Sequence, residues 1–224
     1  SEYKKVVQRS INAEQTIASA FNGVTLLPDN QVRGDFVGLQ LRAVARLIKA
    51  ANTGGLPGVK RQVFFVHAGG FDTHNNQFAA SPGADSNTHE KLLGRIDGAL
   101  QYFHDELGEG LINKVTTFTA SDFGRTLRAN GDGTDHGWGG HHLVMGGAVN
   151  GGEIHGAWPD LSAGSNDLVE LGLNLIPRIS VDQYGATLGR WFGLNDQQLL
   201  SVFPNLGSFP NNSYPHDLGF MKPA

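Results

Sequence analysis

The chain has 224 residues, a formal net charge of −4 at pH 7 and no cysteine. The absence of cysteine excludes disulfides, thiol nucleophiles and Cys-ligated zinc, so any metal must be held by His, Asp, Glu or hydroxyl ligands. The acidic balance argues against nucleic acid as a partner, and no apolar run approaches the ~20 residues of a membrane helix.

The first half of the chain contains two predicted helices and one predicted strand. Apolar residues at spacings of 4, 3 and 4 predict an amphipathic helix over 36–50. The short apolar run Val63–Val66 predicts a buried strand, followed by a long loop with Gly and Pro over 69–87. A second apolar stripe, from Leu92 to Leu107, predicts a helix whose N-cap and N3 residues are Asn87 and Glu90.

The second half continues the alternation of strands and helices. Strands are predicted over 114–120 and 142–149. Ser180 and Gln183 form a predicted capping box, Gly193 ends that helix, and Asn195 caps a short helix after it. The alternation predicts one α/β domain over 1–224, with a largely parallel sheet flanked by helices and an irregular tail over 210–224.

Polar side chains follow two of the predicted strands. Asp72 and His74 come after the first strand, and Asp122 and Arg125 come after the second. If these strands are parallel neighbours, both groups lie at the same edge of the sheet, where α/β proteins bind ligands. A convergence of His and carboxylate ligands without Cys suits Zn²⁺, Mn²⁺ or a similar divalent ion.

The stretch "GDGTDHGWGGHH" (131–142) is predicted to fold back over this edge and to deliver one more ligand. Asp135 and His136 are adjacent, so in an extended chain they point to opposite sides, and His136 is the preferred ligand. Asp135 is equally consistent with a turn-forming residue. The same alternation allows at most one of His141 and His142 to face the site.

Several of these residues also have a purely structural interpretation. Arg125 either pairs with Asp122, three residues before it, or binds an anionic oxygen of a substrate. His67 is expected to be a packed histidine at a strand end. His89, His104 and His216 are expected to be surface residues. No P-loop, Rossmann glycine fingerprint or nucleophile elbow is present in the sequence.

Three long segments carry a family resemblance: "GGFDTHNNQ", "FTASDFGRTLRANGDGTDHGWGGHHLVMGGAVNGGEIHGAWPDL" and "IPRISVDQYGATLGRWFGL". From about residue 36 to 209 the chain resembles the bacterial "domain of unknown function 1501" proteins. That family looks like a distant branch of the alkaline phosphatase, sulfatase and phosphoglycerate mutase superfamily. The resemblance implies an alkaline-phosphatase-like fold and a hydrolase acting on phosphate or sulfate esters.

The resemblance also implies roles for individual residues. Asp72, His74 and His136 resemble ligands of one metal, and Asp122 resembles the acidic ligand of a second metal. Phe123 stands where the superfamily usually has a His ligand. Substrate oxygens would be bound by Arg125 and by one of His141 or His142.

Nothing in residues 1–35 resembles the segment that carries the superfamily's nucleophile. The expectation is therefore a C-terminal half of a longer, periplasmic or exported protein, whose nucleophile lies outside this chain and whose partner would be the N-terminal part. A non-catalytic exported binding or scaffolding protein with a degraded metal site is the competing hypothesis. A carboxyl-ester hydrolase with an unidentified serine is a third.

Overall fold

The computed structural model describes residues 2–78, 88–169, 174–210 and 213–223. The predicted cap residue Asn87 lies outside them. The chain forms two compact units. One comprises Ser1–Asp72 and Ser81–Gly110, and the other comprises Thr73–Ala80 and Leu111–Ala224.

The first unit is helical. Helix α1 spans Glu2–Phe21, α2 spans Asp35–Asn52, and α3 spans His89–Ile112, which extends two residues past the unit. Helices α2 and α3 confirm the two predictions from apolar spacing, whereas α1 was not predicted. A short 3-10 helix, Asp29–Gln31, precedes α2. In the described part of the chain no helix is both long and apolar enough to span a bilayer.

The predicted strand over Val63–Val66 is wrong. The segment is extended and its side chains alternate in exposure, but no hydrogen bond reaches its backbone from any described residue. The next contact along the chain comes from Gln40 on α2. Its side-chain amide donates to the His67 carbonyl oxygen at 2.8 Å and accepts from the His67 N–H at 3.0 Å. The segment thus has the side-chain alternation of a strand, but no neighbouring strand in the described part of the chain pairs with it.

This segment leaves large apolar side chains in solvent, with Val63 80% and Phe65 88% exposed. An exposed, apolar and unpaired extended segment favours association with other chains. We therefore expect Phe65→Lys to raise the concentration at which the protein aggregates by about twofold or more. Static light scattering of a concentration series measures this. Ile154→Lys, which removes another exposed apolar side chain, is the control. An equal rise in the aggregation concentration of this control would contradict a specific role of Val63–Val66 in association.

In its described residues the second unit contains six short strands, paired in three antiparallel two-stranded sheets. The strands are β1 Thr117–Phe118, β2 Gly124–Ala129, β3 Thr134–Gly137, β4 Val144–Met145, β5 Leu168–Val169 and β6 Asn174–Leu175. The pairs are β1 with β4, β2 with β3, and β5 with β6.

The expected largely parallel sheet is not seen: no parallel pair occurs within the described ranges. The strands predicted over 114–120 and 142–149 are much shorter in the structure, where only the two residues of β1 and the two of β4 form strands. These two strands pair with each other in antiparallel register. The site was placed on the assumption that Val63–Val66 and 114–120 are parallel neighbouring strands, and this assumption is wrong because no strand forms over Val63–Val66. Helices and strands are both present, but along the described chain they do not alternate: three helices come before the strands and two come after them.

The C-terminal helices match the predictions from capping residues. Helix α4, Val181–Phe192, has the full capping box of Ser180 and Gln183 and ends at Gly193 with φ 102°. Helix α5, Asp196–Val202, is capped by Asn195. A 3-10 helix, Pro204–Ser208, follows. Their core consists of Ala186, Leu199 and Leu206, against which Leu194 and Phe203 pack.

The tail over 210–224, expected to be irregular, contains no helix or strand in its described residues. It is nevertheless attached to the second unit. Phe220 is buried, and Met221 forms an isolated antiparallel bridge with Val149.

Candidate metal centre

The candidate site is built on the β2–β3 hairpin. Arg125 pairs with His136 and Ala129 pairs with Thr134, so β2 has two more residues than β3 between these positions. The Asn130 N–H donates to the Gly133 carbonyl oxygen at 3.1 Å and closes the turn. His136 therefore lies on a strand, and the stretch predicted as a strap is in part the second arm of a hairpin.

The segment that begins at Thr73 packs on the tip of this hairpin. The Gln77 N–H donates to the Asp132 carbonyl oxygen at 3.0 Å, and the Thr134 hydroxyl donates to the Gln77 side chain at 2.7 Å. A Cβ on Gly133 would overlap the carbonyl group of His74 and lie 2.8 Å from the Thr73 carbonyl oxygen. Glycine at 133 is thus what allows the hairpin tip to approach the backbone of His74.

We expect Gly133→Ala to separate these two segments. The added methyl group forces the His74 backbone or the hairpin tip to move, which costs about 1–3 kcal/mol of unfolding free energy and lowers metal affinity. Gly140→Ala is the matched control in the same stretch, because its Cβ would meet nothing nearer than 3.9 Å. Urea denaturation and zinc titration of both variants measure the effect, and identical behaviour of the two would contradict the close-approach argument.

Three of the predicted ligands converge. The Nε2 atoms of His74 and His136 are 3.2 Å apart. A carboxylate oxygen of Asp72 completes the set, and the ligand atoms of the three residues all lie within 4.8 Å of one another. The two ring centroids are 4.9 Å apart, farther than the nitrogens, so the rings approach each other at their Nε2 ends. Two nitrogens bound tetrahedrally to Zn²⁺ are about 3.3 Å apart. The pair therefore already has the spacing of a metal-ligand pair.

The side chains of this set are accessible. Asp72 and His136 are exposed and His74 is partly exposed, so a ligand can reach them from solvent. Asp122, the fourth predicted metal ligand, is exposed and is not a member of the set. The described residues therefore form one group of three ligands, with Asp122 outside it.

Phe123 occupies the face of His136. The rings of Phe123 and His136 stack at a centroid distance of 3.9 Å and an interplanar angle of 5°. The Arg125 guanidinium lies over the ring of Phe123, 5.1 Å from its centroid. Phe123, at the position where the resemblance implies that a His ligand is missing, thus packs against the predicted ligand His136. This contact was missed because an aromatic residue has no metal-binding signal in the sequence.

Arg125 binds the protein in this structure. Its guanidinium donates to the Thr134 carbonyl oxygen at 2.5 Å and to the Thr73 hydroxyl at 3.3 Å. Neither of the two roles predicted for it, pairing with Asp122 or binding a substrate oxygen, is among these contacts. The arginine ties the segment before His74 to the hairpin that carries His136.

His141 and His142 contact different groups, as their adjacency predicted. The His141 ring lies 5.4 Å from that of Trp158, whereas His142 stacks on Tyr184 at 5.4 Å. Burial, and then the neighbouring His141, lower the pKa of His142. Burial raises the pKa of Tyr184 to about 12. Neither histidine belongs to the set of three ligands.

Asp135 and His136 were expected to point to opposite sides of an extended chain, so that only one of them would face the site. Asp135 Oδ1 lies 3.3 Å from His74 Nδ1, while His136 reaches Nε2 of the same ring. The two adjacent residues therefore approach opposite edges of one imidazole, and both side chains contact the same predicted ligand.

Comparison with known proteins places the chain in a family. The sequence profile described as "Protein of unknown function (DUF1501)" matches residues 53–203, well over half of the chain. No curated protein and no solved structure gives a significant match. The matched range contains the three converging ligands, the hairpin and both capped C-terminal helices. The chain belongs to the DUF1501 family.

Proposed function

We propose that the chain is a metal-dependent hydrolase that acts on phosphate or sulfate esters through one or two divalent ions. The observation that carries the proposal is the 3.2 Å separation between the Nε2 atoms of His74 and His136, with Asp72 beside them. Three protein ligands leave a coordination position open, which is typical of catalytic rather than structural metal sites.

Two imidazoles and one carboxylate are a donor set that suits Zn²⁺ and Mn²⁺, and also Fe²⁺. A bound ion would supply polarisation of an ester oxygen and would lower the pKa of a water molecule at the open position toward about 7. Because Asp72 offsets only part of the charge of a divalent ion, the loaded site would stay positive. A positive, solvent-accessible site attracts an anionic ester.

On the substrate side, we propose His141 or His142 as a contact of the ester oxygens. We also propose Arg125 as a contact of the ester, because its guanidinium carries five N–H donors in addition to its positive charge.

We further propose that the chain shares the alkaline phosphatase and sulfatase superfamily's fold, with its largely parallel sheet. The support is the match between Asp72, His74 and His136 as a converging set and the ligands that the superfamily resemblance implies. A periplasmic or exported location and a role for Asp122 as ligand of a second ion are parts of the same proposal.

Turnover of p-nitrophenyl phosphate and p-nitrophenyl sulfate, with added Zn²⁺, Mn²⁺ or Fe²⁺, tests the proposed activity. We expect hydrolysis that requires metal and is lost in His136→Ala. His104→Ala, an exposed histidine on α3, serves as the control and should retain activity. The phosphate and sulfate substrates separate the two ester classes.

A non-catalytic binding protein is the second candidate function. Phe123 favours it, because this side chain packs on His136 where the superfamily usually has another ligand. Stoichiometric metal binding without turnover of either ester class would support this candidate against the hydrolase. Hydrolysis that persists without metal, together with labelling by a fluorophosphonate probe, would instead indicate a serine hydrolase.

A further inference from the structure

We propose that Asp135, supported by Asn130, is a positioning residue that keeps the proton of His74 on Nδ1 and the lone pair on Nε2. The inference concerns the ring of His74 itself. Its consequence for metal affinity rests on the metal site of the proposed function.

The geometry places a carboxylate on the edge of the ring that faces away from His136. Asp135 Oδ1 lies 3.3 Å from His74 Nδ1, and His74 Nε2 lies 3.2 Å from His136 Nε2. The two nitrogens of His74 therefore have different partners, and both partners come from the β2–β3 hairpin. Asp135 is a strand residue, not the turn-forming residue that the sequence also allowed.

Asn130, at the turn of the hairpin, holds the carboxylate of Asp135 in place. Its side-chain amide donates to Asp135 Oδ1 at 2.6 Å, and its backbone N–H closes the turn on Gly133. The same oxygen thus accepts from Asn130 and faces His74. A carboxylate fixed in this way cannot rotate away from the imidazole without breaking the shorter of its two contacts.

The chemistry then determines the tautomer. An ionised carboxylate only accepts hydrogen bonds, so Nδ1 of His74 must be the protonated nitrogen in the neutral ring. Nε2 is left with its lone pair, directed toward His136 and the space that Asp72 also borders. Carboxylates that hydrogen-bond to the second nitrogen of a metal-bound histidine act in this way, and their loss costs 10–100-fold in affinity.

A general stabilising role does not explain the contact. The side chains of His74 and Asp135 are 44% and 60% exposed, and ion pairs between exposed groups contribute little to stability because water screens them. The expected effect of removing Asp135 is thus on the ring of His74, with an unchanged midpoint of urea denaturation.

The test compares wild type with Asp135→Ala and Asp135→Glu, using Asp132→Ala as the control. Asp132 is an exposed carboxylate on the same hairpin, and its backbone carbonyl oxygen, not its side chain, bonds to Gln77. Long-range ¹H–¹⁵N spectra of the metal-free proteins at about pH 8, where imidazole is neutral, report which nitrogen of His74 carries the proton. Isothermal titration with Zn²⁺ reports the Kd.

We expect the Nδ1–H form of His74 in wild type and Asp132→Ala, a shift toward the Nε2–H form in Asp135→Ala, and partial recovery in Asp135→Glu. The Zn²⁺ Kd should rise about 10–100-fold in Asp135→Ala. An unchanged His74 tautomer in Asp135→Ala overturns the inference, whatever the metal affinity. Failure of wild type to bind Zn²⁺ overturns the proposed function instead, and the tautomer spectra still decide the inference.

Discussion

Replacing His136 by Ala is expected to weaken Zn²⁺ binding by at least about 100-fold, because a zinc ligand contributes roughly 3 kcal/mol where four ligands together give 10–16 kcal/mol. His136 is exposed, so its removal should leave the helices and the hairpin intact. Isothermal titration calorimetry measures the affinity, and circular dichroism confirms the fold.

His104→Ala is the control for this prediction. His104 is an exposed histidine on α3, next to Asp105 and outside the set of three ligands. It should bind Zn²⁺ as wild type does. An equal loss of Zn²⁺ affinity in both variants would show that binding is spread over surface histidines. An unchanged Zn²⁺ affinity in His136→Ala would show that His136 is not part of the site.

Replacing Glu106 by Ala should cause the largest loss of stability in the helical unit. Glu106 is 3% exposed and accepts hydrogen bonds from the Leu27 N–H at 2.9 Å and the Tyr102 hydroxyl at 2.8 Å. It also pairs with the Lys49 ammonium group from α2. Removing the carboxylate leaves these donors without their acceptor. Breaking a buried pair in this way costs about 3–5 kcal/mol.

Urea denaturation of Glu106→Ala, Glu106→Gln and the control Asp97→Ala measures this cost. Asp97 is an exposed carboxylate on the same helix, so its removal changes the charge equally without opening the buried network. Glu106→Gln keeps an acceptor oxygen but loses the charge, so an intermediate loss is expected. A loss in Glu106→Ala no larger than in Asp97→Ala would show that the network contributes little.

The helices were accessible from sequence because their signals are local. Apolar spacing located α2 and α3, and capping residues located α4 and α5. Helix α1 was not predicted, because 19 of its 20 residues are not buried, Ala20 being the exception. A helix that buries almost nothing needs no apolar stripe, so nothing in its sequence marks it clearly.

The strands were harder because a strand needs a partner that is distant in sequence. Val63–Val66 has strong strand propensity, yet it remains extended without a ladder among the described residues. The residues of β2, by contrast, were expected to follow a strand and not to form one, because half of them are polar and the pairing with β3 depends on the turn at Asn130. The strand propensity of the residues therefore did not show which segments pair with another strand.

For the candidate site, the sequence predicted which residues converge better than it predicted the scaffold that brings them together. Asp72, His74 and His136 converge as predicted, although an antiparallel hairpin rather than a parallel sheet edge brings them together. The contacts of Asp135 with His74 and of Phe123 with His136 could not be predicted, because they depend on how the segment that begins at Thr73 packs on the hairpin and on ring stacking. Neither leaves a periodic pattern in the sequence.

An anomalous difference map, recorded at the zinc absorption edge from crystals grown with Zn²⁺, tests most directly whether Asp72, His74 and His136 hold one divalent ion. We predict a single strong peak among these three side chains, about 2.0–2.2 Å from Nε2 of each histidine and from a carboxylate oxygen of Asp72. A map without a peak there, or with its strongest peak on other side chains, would contradict the assignment.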